Sequence, residues 1–83
     1  MTRAEALARA AEWAHGAEKA LEDSTQAHED ARRLMAVPGG YSTPEVSRLI
    51  SLADKRSDDV HILLAVAQTW AAIAAATPEA PQP

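Results

Sequence analysis

Pro38-Gly39-Gly40-Tyr41-Ser42-Thr43-Pro44 divides the chain into two segments of similar length, and the reading of this stretch decides the fold. Proline and paired glycine end a helix and turn the chain. On that reading helix one spans residues 2–37, the loop 38–43 and helix two 44–76. Two start signals compete for helix two. Thr43 can cap with Pro44 at the first helical position, or Ser42 and Glu45 can form a Ser-x-x-Glu capping box. Beyond it, residues 77–83 carry prolines at 78, 81 and 83, which reads as an extended, disordered tail.

Working outward from the break, both segments show a seven-residue repeat. In helix one, position a holds Leu7, Ala14, Leu21, His28 and Met35. Position g holds Ala6, Trp13, Ala20, Ala27 and Leu34, and position d holds Ala10, Ala17, Ser24 and Ala31. Position f is polar throughout: Glu5, Glu12, Lys19, Gln26, Arg33. One face is therefore apolar and mostly small, the opposite one charged. In helix two, Val46, Ala53, Val60, Ala67 and Ala74 form one row, and Leu49, Arg56, Leu63 and Trp70 the next. Ile50, Leu64 and Ala71 widen that stripe, and Ser57 interrupts it.

A short connection makes the helices antiparallel neighbours. Folding about Gly40 sets the polar run around Asp23, Ser24 and Gln26 across from Asp54 to Asp59. It predicts a polar waist in which Arg56 meets Asp23, Ser24 or Gln26. Trp13 falls near Ala67 to Trp70 at the open end. The apolar area of an alanine-rich two-helix hairpin barely offsets the entropy of ordering it. The expected architecture is an all-α antiparallel hairpin that dimerises into a four-helix bundle. The alternative is a three-helix bundle, if helix one breaks at Gly16 or near residues 23–25, where Asp23 and Ser24 are competent caps.

Composition removes several functions. The 83 residues allow one domain. No cysteine means no disulfide framework, thiol catalysis or cysteine-based zinc site. Twelve acidic against eight basic side chains, a net charge of -4, oppose binding nucleic acid by bulk charge. Three glycines leave no phosphate-cradling loop. The first eleven residues are broken by Arg3, Glu5 and Arg9, so they lack the apolar core of a signal peptide. Residues 60–76 hold 14 apolar residues in 17, short of the roughly 20 that cross a bilayer. That stretch reads as a buried helix, and the expected location is the cytoplasm, without membrane contact.

No catalytic or metal constellation emerges. His15, His28 and His61 never stand four residues apart, and His28 reads as a waist residue bonded to a carboxylate. Glu5–Arg9, Lys19–Asp23, Glu29–Arg33 and Lys55–Asp59 have the spacing of surface ion pairs on a helix. Small all-helical nucleotide pyrophosphohydrolases hold Mg²⁺ with Glu-Glu-x-x-Glu and a later Glu-x-x-Asp, and neither occurs here. The expectation is a non-enzymatic chain with no catalytic residue, cofactor or metal.

Three resemblances bear on function. Tyr41-Ser42-Thr43-Pro44-Glu45-Val46-Ser47-Arg48-Leu49-Ile50 resembles the opening of excisionase- and MerR-type helix-turn-helix modules, which implies a small DNA-associated regulator. Its loop-proximal basic patch would be Arg32, Arg33 and Arg48, but no glycine turn and recognition helix follow. The hairpin length is similar to that of secreted WXG-type proteins, whose turn carries Trp-x-Gly where this chain has Pro38-Gly39-Gly40. Leu63 to Ala74 and the preference for Arg over Lys resemble small helical orphan proteins of actinobacteria, their phages and mobile elements. That likeness implies an origin, and with it a place inside a phage particle as an alternative to the cytoplasm.

The reading that emerges is a protein–protein interaction or assembly module acting by helix-in-groove contact. The residues that would carry it are Trp13, Val60, Leu63, Leu64, Val66, Trp70 and Ile73, and its partner is a second copy or an unidentified protein.

Overall fold

A computed structural model of the chain describes residues 1–79; residues 80–83, most of the proline-rich tail, lie outside the described part. Two α-helices, α1 (Arg3–Met35) and α2 (Pro44–Ala76), pack antiparallel, joined through a single 3₁₀ turn at Gly40–Ser42. No strand occurs among the described residues. Each helix has 33 residues and spans about 50 Å, and the chain as a whole extends over 69 × 16 × 12 Å. Its radius of gyration is 18.9 Å, against about 12 Å for a compact chain of this length. With only one partner each, the helices cannot enclose a core.

The caps follow the sequence. Thr2 Oγ1 accepts a hydrogen bond from the Glu5 N–H at 3.1 Å and starts α1. At α2 the threonine option holds: Thr43 Oγ1 accepts from the Val46 N–H at 3.4 Å, with Pro44 at the first helical position. The same hydroxyl donates to the Gly40 carbonyl at 2.9 Å, which ties the cap to the turn. Ser42 is taken up by the 3₁₀ turn. The two glycines do different work. Gly39 adopts a left-handed φ of 78°, a conformation that strains any residue with a Cβ. Gly40 is buried under the end of α1, where a Cβ would fall 1.8 Å from the Leu34 carbonyl oxygen.

α1 runs unbroken through residues 23–25, so the chain does not take the three-helix form. The polar groups that could have capped a new helix are spent across the hairpin instead. Ser24 Oγ donates to the Ala53 carbonyl at 3.0 Å, and the Asp23 carboxylate accepts from Arg56. Gly16 does not break the helix either; it faces the Leu63 side chain. Facing residues have numbers that add to 79 at Asp23–Arg56, Gly16–Leu63 and Arg9–Trp70.

The seam between the helices is made of small side chains. Ala6, Ala17, Ala20, Ser24, Ala27 and Ala31 are buried from α1. Val46, Ala53, Ala67 and Ala74 are buried from α2. No large side chain is fully buried among the described residues. Of the three apolar rows of α1, d and g close the contact, and row a stays at its edge with Leu7 and Leu21 exposed. On α2 the two inner rows are those the repeat indicates, whereas Ile50, Leu64 and Ala71 remain exposed.

The expected burial of residues 60–76 is not met. Ala67 and Ala74 are the buried residues there. Little of the apolar half of α2 is buried, and by length and composition alone α2 is long and apolar enough to cross a membrane. A single neighbouring helix covers one side only, which leaves the other sides of this stretch without cover.

Candidate functional site

The hairpin has two lateral faces, one on each side of the alanine seam. α1 contributes Arg9, Gly16, Asp23 and Asp30 to the first, and α2 contributes Trp70, Leu63, Arg56 and Leu49. Helical geometry then places row a of α1 on the second face, beside Ile50, Ser57, Leu64 and Ala71 of α2.

The first face has an apolar end and a polar middle. At the open end it carries Trp13, Leu63, Val66, Trp70 and Ile73. The guanidinium of Arg9 lies 5.3 Å from the Trp70 ring centre, a cation–π contact that covers the indole from outside. Arg3 reaches Glu79 at 3.3 Å and ties the start of α1 to the segment after α2. Trp13 stays partly exposed because its neighbours across the seam are too few to enclose an indole.

Toward the middle lies the polar waist. Arg56 donates to Asp23 at 3.0 Å and to Asp59 at 2.9 Å. Of the three partners expected for Arg56, Asp23 is the one used, and Asp59 is added from its own helix. The hydrogen bond to Asp23, then that to Asp59, raises the Arg56 pKa above its ordinary value. A shallow groove of about 240 Å³ runs beside it, between Gln26 and Asp30 of α1 and Leu49 and Leu52 of α2. Lys19–Asp23 forms as its spacing indicates, at 3.9 Å. The other three expected pairs do not form: Arg33 pairs with Asp30, Asp59 takes Arg56, and Arg9 lies over Trp70 rather than against Glu5.

The residues expected to bind a partner are thus divided between the faces. Trp13, Leu63, Val66, Trp70 and Ile73 share the first. Leu64 belongs to the second, and Val60 lies at the seam edge on that side. Leu7, Leu21 and Ile50 also belong to the second face and escaped the sequence reading. The available signal was the alternation of row a, where Leu7 and Leu21 flank Ala14.

Arg32, Arg33 and Arg48 do not gather on one face. Arg32 and Arg33 diverge around the outside of α1, and Arg48 lies on the outside of α2. Arg33 is engaged by Asp30. Among the described residues no three of His, Asp and Glu come together as metal ligands, and His28 is exposed. No protein-family model, curated protein or solved structure matches the chain significantly.

Proposed function

We propose that the chain is a small non-enzymatic protein–protein interaction or assembly module that works through apolar side chains left outside the hairpin. One observation carries this reading: among the described residues no large apolar side chain is fully buried, and eleven large hydrophobic residues are exposed. Soluble chains scatter single exposed apolar residues freely, but contiguous patches mark contact surfaces. At the open end the exposed Trp13 and Ile73 adjoin the half-buried Leu63, Val66 and Trp70 in such a patch, and tryptophan is enriched where binding energy concentrates. The total surface supports the same reading. It is 6060 Å², against about 4,800 Å² for a compact chain of 8.8 kDa. The excess of roughly 1,300 Å² comes from the elongated shape, and it is larger than the area of about 800 Å² that one partner contributes to a standard interface.

The mechanism is burial of ready-made helical surface. Both helices are already ordered, so association orders side chains rather than backbone. Light scattering on a size-exclusion column at two concentrations tests the self-associating form of this reading. A mass near twice 8.8 kDa supports it. A monomer at both concentrations that keeps its helicity and unfolds at high temperature overturns it.

A further inference from the structure

Leu7 and Leu21 of α1 and Ile50 and Leu64 of α2 are 51%, 56%, 38% and 41% exposed, all on the second face. Their register forms a pattern. With facing residues at a near-constant sum, Leu7 stands level with Ala71 and Leu21 with Ser57. Leu64 stands level with Ala14, and Ile50 with His28. Every level, two helical turns apart, thus pairs one large apolar residue with a smaller or polar one, and the large residue alternates between the helices.

A surface of this kind fits itself. Resting on the reading above, we infer that the second face is the homodimer interface, with α1 of one copy lying across α2 of the other. A twofold axis parallel to the helices sets each level against the same level of the second copy. Leu7 then meets Ala71 of the partner copy, Ala14 meets Leu64, and Leu21 meets Ser57, knob into gap along the whole face.

The polar margin selects this arrangement over its competitor. A twofold axis across the helices, with α1 on α1, can also set large against small. It brings Glu18 against Glu18 and His61 against His61 at the axis. The parallel axis instead sets Glu18 beside His61 of the other copy, a carboxylate facing an imidazole N–H, and Thr25 beside Asp54. Glu18 and His61 are both exposed in the single hairpin, and neither is paired with another side chain among the described residues. The interface leaves the tryptophan end of the first face free for a different protein.

Cysteine pairs placed in this cysteine-free chain test the arrangement. Glu18→Cys and His61→Cys chains are prepared separately, mixed, and treated with a short bis-maleimide. The inference expects a covalent dimer from the mixture and none from either variant alone. A covalent dimer from Glu18→Cys alone overturns it in favour of α1 on α1. Light scattering on Leu7→Ser/Leu21→Ser should read a monomer, while Trp13→Ser/Ile73→Ser stays dimeric. The reverse result overturns the inference but leaves self-association standing. A wild-type chain that is monomeric at every concentration, or that sediments with phosphatidylcholine vesicles instead of dimerising, overturns both.

Discussion

The seam between the helices and the faces beside it divide the apolar residues in the opposite way to an ordinary domain. Folded chains bury their Leu, Ile, Val and Phe first and tolerate Ala anywhere. Here the seam is alanine, with one serine and one valine buried among them, and the leucines and isoleucines stand at its edges. Small side chains let two helix backbones approach closely, and large ones would hold them apart. The seam therefore gains from proximity and continuity rather than from area. The large residues excluded from it become surface that a second molecule can cover.

The strongest way to break the close contact is at its hinge. In Gly40→Ala the new Cβ would sit 1.8 Å from the Leu34 carbonyl oxygen, a backbone atom that cannot move without displacing the end of α1. The expected cost is about 3 kcal/mol, at the upper end of single-residue effects. Urea unfolding followed by helical circular dichroism would measure it. A loss under about 1 kcal/mol would show that the turn has another conformation open to it.

Within the seam the expected effect is next in size. Ala53 is fully buried, and its carbonyl accepts from Ser24. Ala53→Leu forces the helices apart at the waist and should cost about 2 kcal/mol. In a core built from large residues that cannot quite meet, the same change fills space and stabilises. The sign of the effect therefore tells the two kinds of seam apart.

How much of this was legible beforehand depends on what the sequence encodes directly. The turn and the caps rest on residues with their own backbone chemistry, so Thr43, Pro44 and the glycines could be read off. The antiparallel register follows from the loop length, and the meeting of Arg56 with Asp23 follows from the register. The rotation of α1 was harder. Hydropathy ranks Leu7 and Leu21 above Ala20 and Ala27, yet the contact selects for size. Period survives such a conflict, but phase does not. The same cause hid the second face: a row alternating Leu and Ala reads as half a core until its neighbour is known to be a helix with the complementary alternation. The unburied state of residues 60–76 also depends on how many neighbours exist, which the chain's own pattern does not state.

Gly16 shows the seam edge from a gentler side. It sits mid-helix, where glycine costs about 1 kcal/mol relative to alanine. A Cβ there would meet the Leu63 methyl carbons at 3.8 Å, an ordinary contact. Gly16→Ala should therefore stabilise the hairpin by about 0.8 kcal/mol, read as a higher urea midpoint at an unchanged slope. Destabilisation would mean that the helices approach more closely at this level than the 3.8 Å contact allows.

The smallest effect on the hairpin itself should come from the outer residues, which sharpens the contrast most. Leu21 is more than half exposed, and its neighbour at the same level is Ser57. For a single hairpin, Leu21→Ser removes little buried area and should change stability by no more than about 0.5 kcal/mol. Unfolding has to be followed at concentrations low enough that any dimer is dissociated, because association raises apparent stability with concentration. At high concentration the wild-type midpoint should rise and that of Leu21→Ser should not. A substitution that is silent at low concentration and costly at high concentration places the leucine's energy between molecules. A cost that is the same at all concentrations places it inside the hairpin, and the division between a small-residue seam and a large-residue surface would then fail at this position.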